Sequence, residues 1–265
     1  GSLHLTVHPD LDLTISKRSN NEFILLGFAL NHKRPQAGNQ EILDELADIC
    51  HFLEDMLEYC RDLCGRYLIL FNISDKSGIL TDLIASRTVY YCSTAQSIWC
   101  ASQPSTLAKV LKISKDNSSL IRTFIDKEMY ARDEGSWIGD GSMYEGVRHL
   151  LPNHYLDLQK CRAIRYWPDK PRLPLDLEKA SHISATILEN TMRAATNRFS
   201  MSMAITSGWD SRCLLAASSN VRDKVYYYIQ KFGDMTDNHP DIRVPRKLAQ
   251  KIRIPFHVID CPEYQ

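Results

Sequence analysis

Residues 176–260 alternate between longer amphipathic segments and short apolar ones, a pattern that few topologies can accommodate. The apolar segments 201–206, 225–230 and 256–260 have the length and composition of strands, and the segments that separate them have helical spacing. Strands that alternate with helices indicate parallel pairing through right-handed crossovers. We therefore predict an α/β domain built on a parallel sheet. Because both faces of a central strand in such a sheet are covered, we expect Tyr226, Tyr227 and Tyr228 to lie in the core.

The preceding part of the chain follows a different pattern. An apolar run at 23–30 predicts a buried strand, and apolar residues spaced three and four apart over 40–63 predict one long amphipathic helix. The segments 66–83 and 88–102 each place two β-forming stretches around a polar turn, which predicts two hairpins. Several strands with short turns and a long helix predict a layered α+β domain.

The segment 166–175, with the sequence YWPDKPRLPL, separates these two patterns. It contains three prolines and no regular apolar spacing, a composition typical of a linker. We therefore expect two domains, 1–168 and 169–265.

The overall charge gives no support for a nucleic-acid or anionic-membrane partner. The 265 residues include 32 Lys plus Arg and 32 Asp plus Glu, so the formal net charge is zero. No apolar run approaches the roughly 20 residues that a membrane-spanning helix needs. We expect neither kind of partner, and the sequence leaves a homodimer open.

The eight cysteines form no Cys-x-x-Cys pair and no second cluster that would complete a zinc site. Most of them lie among apolar neighbours, as in YYCS and IWCA. This favours buried free thiols over a disulfide framework, and hence a reducing, cytoplasmic location.

The turn 206–211, with the sequence TSGWDS, lies between the first strand of the predicted parallel sheet and the following helix. Ligands of such sheets bind beyond the carboxyl ends of the strands, where the next helix has unpaired amides and a positive dipole end. Gly208 allows close backbone approach, and the hydroxyls of Thr206, Ser207 and Ser211 can donate to phosphate oxygens. These features predict a phosphate or pyrophosphate cradle.

Two charged residues define the expected ligand further. Asp210 would repel a bare phosphate unless Mg²⁺ lies between the two or the carboxylate serves to orient the loop, so we expect a metal-bound nucleotide, with Mg²⁺ at Asp210. Arg212 can bind a phosphate through two N–H groups, although a solvated arginine is an equal alternative. The spacing of a Walker or dinucleotide loop is absent, and an ordinary capped helix start remains open. No catalytic side chain can be assigned.

The turn 206–211 resembles the Ser-Gly-Gly-x-Asp-Ser pyrophosphate loop (PP-loop) of the asparagine synthetase family and related ATP pyrophosphatases. Gly208, Asp210 and Ser211 match this motif. Thr206 is a conservative replacement for serine, and Ser207 stands where the family has glycine.

The resemblance extends over most of the chain in one order. The segment 236–260 is similar to the family's sequence after the second strand, in which an acidic residue, here Asp241, begins a helix. The segments 64–91 and 141–158 are similar to the later strands and the closing segment of the family's glutaminase domain. This implies an N-terminal-nucleophile glutaminase-like sandwich, followed by an adenine-nucleotide α-hydrolase-like domain that carries the PP-loop.

The glutaminase domain of that family uses a cysteine at its extreme N-terminus, whereas this sequence has no cysteine before Cys50. The family's glutamine-binding Asn-Gly-Glu-x-x-Asn stretch is also missing. Either a nucleophile preceding residue 1 has been removed, or the domain is a degenerate scaffold; we favour the degenerate domain. Because the family's synthetase domain continues beyond its third strand, we expect this chain to be part of a longer protein.

The resemblance implies an ATP-dependent, AMP-forming carbon–nitrogen ligase with an inactive glutaminase domain. Such an enzyme adenylates a carboxylate of a small molecule or peptide and releases pyrophosphate. Ammonia or an amine then displaces AMP and forms an amide. The alternative is a relative without catalytic activity, kept as a nucleotide-binding or scaffold module.

Overall fold

The structure, a computed structural model, describes residues 3–18, 20–74, 76–94, 97–126, 137, 139–233 and 235–261. It is a mixed α/β chain with three sheets among these residues. The chain divides into two compact units, Gly1–Ala29 with Asn39–Leu173, and Leu30–Gly38 with Pro174–Gln265. The assignment of 1–168 and 169–265 to a glutaminase-like and a synthetase domain remains a prediction.

The elements up to residue 165 are mainly strands. In chain order they are β1 (Leu13–Arg18), β2 (Asn21–Asn31), α1 (Asn39–Ile49), α2 (Leu53–Cys60), β3 (Leu63–Ile73), β4 (Lys76–Thr81), β5 (Tyr90–Ser93), β6 (Ile98–Ala101), α3 (Pro104–Leu111), α4 (Ser119–Ile125), β7 (Arg148–His149), β8 (His154–Asp157) and β9 (Arg162–Arg165).

Two sheets form the first unit. One has the order β1-β2-β3-β4-β8-β9, and the other the order β6-β5-β7. Both predicted hairpins are present as the antiparallel pairs β3–β4 and β5–β6. Buried residues from the two sheets, among them Leu70, Tyr91 and Leu156, pack in one cluster, so a core lies between the sheets.

The prediction of a single helix over 40–63 is wrong, because the chain forms two helices, α1 and α2, in this region. The backbone N–H groups of His51 and Phe52 donate to Asp55 Oδ2 over 2.9 and 2.8 Å. The Asp55 carboxylate thus satisfies donors at the start of a new helix, which begins at Leu53. The apolar spacing continues through this break and therefore does not reveal it.

The second unit alternates as predicted. Its elements are α5 (Leu177–Arg198), β10 (Met201–Ala204), α6 (Trp209–Ala217), a 3₁₀ helix (Ser219–Lys224), β11 (Val225–Lys231), α7 (Pro240–Ile252) and β12 (His257–Asp260). The strands form a sheet of order β10-β11-β12 in which both pairs are parallel. Strand and helix periodicities therefore identified this sheet correctly.

One face of this sheet forms the core of the second unit. Met203 and Tyr227 pack there with Met192 of α5 and Leu215 of α6. The hydroxyl of Tyr227, a residue that is 1% exposed, lies 2.7 Å from Ser218 Oγ.

The sequence also favoured a core position for all three tyrosines of β11, and this is wrong for Tyr226. Its side chain is 46% exposed and stacks on His257, with ring centroids 4.3 Å apart. Tyr226 alternates with the buried Tyr227 along the strand and lies on the opposite face of the sheet. That face is not covered at this position, contrary to the expectation for a central parallel strand.

Candidate functional site

The turn 206–211 lies at the carboxyl edge of the parallel sheet. Ile205, which is fully buried, extends the pairing beyond β10 because its N–H donates to the carbonyl oxygen of Tyr228 over 2.8 Å. Asp241 is the second residue of α7, the helix that follows the neighbouring strand β11. Parallel pairing of β10 and β11 thus brings the turn and Asp241 to the same edge.

Hydroxyl groups fix the conformation of the turn. The N–H of Thr206 donates to Ser211 Oγ over 3.0 Å, and the two hydroxyl oxygens are 3.1 Å apart. The N–H of Gly208 donates to Thr206 Oγ1 over 3.1 Å. The sequence predicted the hydroxyls of Thr206 and Ser211 as hydrogen-bond donors to phosphate. In the structure they also hold the turn in its conformation through hydrogen bonds within the turn.

Ser207 is bound to a carboxylate. Its N–H donates to Asp241 Oδ1 over 2.9 Å, and its hydroxyl donates to the same oxygen. These two bonds, the hydroxyl first, together with nearby His239, lower the pKa of Asp241 against a smaller opposing effect of burial. Asp241 is consequently an anion at neutral pH and accepts hydrogen bonds from the turn. The sequence indicated Asp241 by resemblance alone and gave no sign of this contact across 34 residues.

Space for an external ligand exists beside Gly208 and the start of α6. Gly208 is exposed. A methyl group added at Gly208 would have one neighbouring atom within 4 Å among the described residues, Thr206 Oγ1 at 3.2 Å, when the two adjacent residues are left out. Gly208 is the N-cap of α6, and no described side chain caps this helix. The first amides of the helix are therefore available to an anion.

Asp210 and Arg212 lie on the first turn of α6. Asp210 is exposed, as a carboxylate that binds a hydrated cation must be. The Arg212 Nε donates to the carbonyl oxygen of Gly208 over 3.2 Å, and its guanidinium lies 4.2 Å from the ring centre of Trp209. Trp209 is itself 77% exposed. Arg212 thus has a fixed position beside the turn, and its terminal amino groups have no hydrogen-bond partner among the described residues.

The described residues contain no group of three or more His, Cys, Asp or Glu side chains that could hold a metal ion. Any Mg²⁺ at Asp210 would need most of its oxygen ligands from water and phosphate, the usual arrangement for this ion with nucleotides.

The two most deeply buried cysteines of the first unit, Cys50 and Cys60, are not activated nucleophiles. All eight are free thiols. Burial raises the pKa of Cys50 to about 12 and that of the fully buried Cys60 even further. Both remain protonated at neutral pH, and a thiol is a poor nucleophile in that form.

Within the described residues, no helix is both long enough and apolar enough to cross a membrane.

Comparison with known proteins gives little further information. No family model matches the chain, and no curated protein matches it. Among solved structures, it is similar to a glutamine-dependent NAD+ synthetase from Acinetobacter baumannii in complex with adenosine diphosphate, at 9% identity and a TM-score of 0.22. The match covers 74% of this chain and 48% of that chain, so the chain spans about half the length of the synthetase. A similarity at this TM-score supports no conclusion about fold or function.

Proposed function

We propose that the second unit binds Mg-ATP at the turn 206–211 and uses it to adenylate a carboxylate, with release of pyrophosphate. The observation that carries this proposal is the open, uncapped start of α6 beside Gly208, at the carboxyl edge of a parallel sheet. The resemblance of this turn to the PP-loop of the asparagine synthetase family supports the choice of ATP over other anions.

Each residue of the turn has a distinct part in this proposal. The amides at the start of α6 and the terminal amino groups of Arg212 bind the phosphates, and Gly208 keeps the space beside them clear. Thr206 and Ser211 hold the turn in shape through their mutual hydrogen bonds. Asp210 provides a ligand for the Mg²⁺ that accompanies ATP.

The reaction is a substitution at phosphorus. A carboxylate oxygen attacks the α-phosphorus, the bond from this phosphorus to the α,β-bridging oxygen breaks, and pyrophosphate leaves. The amides of the turn stabilise the negative charge that develops on the leaving group. Ammonia or an amine then attacks the acyl carbon of the adenylate, the bond from this carbon to the phosphate oxygen breaks, AMP departs, and the nitrogen releases a proton to solvent, which leaves an amide.

A second candidate is a nucleotide-binding module without catalysis. The observation that favours it is the bond between Ser207 and Asp241, which occupies donors at the position where the resembling family has glycine. The first unit would then serve as a scaffold, and the second as the binding domain. A chain that binds Mg-ATP but forms no AMP with any carboxylate would support this candidate over the ligase.

The experiment combines thermal unfolding with a chemical readout. Saturating Mg-ATP should raise the Tm of the wild type and of Asp223→Asn, which changes an exposed carboxylate elsewhere in the same unit, but not that of Asp210→Asn. Carboxylate-dependent exchange of labelled pyrophosphate into ATP, over a panel of small acids and peptides, then tests adenylation. A wild-type Tm that Mg-ATP does not change would overturn both the ligase and the module.

A further inference from the structure

The bond between Ser207 and Asp241 has a consequence for ligand choice, provided that the turn binds polyphosphate as proposed above. We propose that Asp241 acts as a tethered anion that makes the turn select magnesium-complexed polyphosphate over the free polyphosphate. Asp241 would then be a specificity-determining residue of the site, one that acts by repelling the wrong form of the ligand.

The geometry at Ser207 is that of an anion-binding contact. One carboxylate oxygen, Asp241 Oδ1, accepts both the backbone N–H and the side-chain hydroxyl of the same residue. A phosphate oxygen uses the same two kinds of donor. Asp241 therefore already occupies donors of the turn that an incoming anion could otherwise use.

Asp241 is held in this position from both ends. Its backbone N–H donates to His239 Nδ1 over 3.3 Å at the start of α7, and its side chain reaches the turn. The same hydrogen bonds from Ser207 keep the carboxylate ionised, since they lower its pKa. The negative charge is thus a permanent feature of this edge at neutral pH.

A free polyphosphate at the start of α6 would meet two carboxylates, Asp241 bound to the turn and Asp210 on the helix. Like charges at such short range repel each other, and the repulsion is stronger beside a protein surface than in bulk water. A divalent cation between carboxylate and phosphate reverses the sign of this interaction. Among the described residues, Oδ1 accepts both hydrogen bonds that the Asp241 carboxylate makes. The other oxygen, Oδ2, is therefore available to such a cation or to its bound water.

The test measures binding of inorganic pyrophosphate to the full chain by titration calorimetry, once with excess Mg²⁺ and once with a chelator. Asp241→Asn keeps the shape and an acceptor oxygen but removes the charge. We expect this variant to bind metal-free pyrophosphate about tenfold more tightly than the wild type. The ratio of the Kd for metal-free pyrophosphate to the Kd for the magnesium complex should therefore fall by the same factor. Asp223→Asn, with its exposed carboxylate away from the turn, controls for net charge and should keep the wild-type preference.

Two results would overturn the inference while leaving the proposed function intact. In one, Asp241→Asn keeps the wild-type preference for the magnesium complex. In the other, it binds both forms more weakly, which would make Asp241 a structural support of the turn. If the wild type and all variants bind neither form, the proposed function fails and the inference with it. Asp241→Ser, also neutral, replaces Asp241→Asn if the latter does not fold, and Asp241→Glu should retain the preference.

Discussion

The backbone N–H of Ser207 donates to Asp241 Oδ1 over 2.9 Å and thereby joins the turn after β10 to the helix after β11. The two residues are 34 positions apart, and parallel pairing of the strands is what brings them together. The contact stabilises the candidate site and holds the negative charge of Asp241 at the turn. The first two predictions concern this contact.

Ser207→Ala removes the hydroxyl donor to Asp241 but keeps the backbone bond. We expect a loss of about 1 kcal/mol in the free energy of unfolding, since a hydrogen bond to a charged group is worth somewhat more than a neutral one and this site is partly exposed. Urea unfolding measures the change. Ser202→Ala, at an exposed serine of β10, is the matched control and should cost much less. Equal losses in the two variants would show that the hydroxyl bond contributes nothing.

The stabilising effect of Asp241 should depend on pH. The pKa of this carboxyl is lowered in the folded chain from its ordinary value of 3.8. The unfolded state therefore takes up a proton first, and the stability that Asp241 contributes is present above pH 3.8 and is lost as the pH falls through the lower, folded pKa. The difference in unfolding free energy between wild type and Asp241→Asn should accordingly narrow below about pH 4. A difference that stays constant from pH 7 to pH 3 would contradict this.

The tyrosines of β11 provide an internal comparison. Tyr227→Phe removes a buried hydroxyl that lies 2.7 Å from the fully buried Ser218 Oγ, and should destabilise the chain by about 1 kcal/mol. Tyr226→Phe changes a side chain that is 46% exposed and should be close to neutral. Chemical unfolding of both variants checks the prediction. A larger loss for Tyr226→Phe than for Tyr227→Phe would mean that the faces of the strand are assigned wrongly.

Cysteine reactivity should follow burial. Cys213 is exposed, whereas Cys50 and Cys60 are buried with raised pKa values. Brief treatment with iodoacetamide at pH 8, followed by peptide mass spectrometry, should label Cys213 well before Cys50 and Cys60. Addition of denaturant should remove the difference. Labelling of Cys60 in the native chain as fast as Cys213 would contradict the described packing of the first unit.

Some of this architecture could be predicted from the sequence, for reasons visible in particular residues. Strand and helix periodicity are local, and they located β10, α6 and β11 as well as the turn between the first two. The bond between Ser207 and Asp241 could not be predicted in this way, because it depends on which strands are neighbours. The break between α1 and α2 was missed because the apolar residues keep their helical spacing across it. The carboxylate of Asp55, which caps the start of α2, does not interrupt that spacing. Tyr226 was wrongly assigned to the core because the alternation of side chains along a strand does not show whether the second face of the sheet is covered.

The most direct test of the central claim is calorimetric titration of Mg-ATP into the wild-type chain and Gly208→Ala. Gly208 has φ −67° and ψ 157°, a conformation open to alanine, so the variant should fold. Its added methyl group would occupy space beside the first amides of α6. We predict one site for Mg-ATP in the wild type and binding at least about tenfold weaker in the variant. Without ligand, the Tm of the variant should fall slightly, because alanine is a poorer N-cap than glycine and its methyl group would lie 3.2 Å from Thr206 Oγ1. A wild-type chain that does not bind Mg-ATP, or a variant that binds it equally well, would contradict the assignment of the turn 206–211 as the nucleotide site.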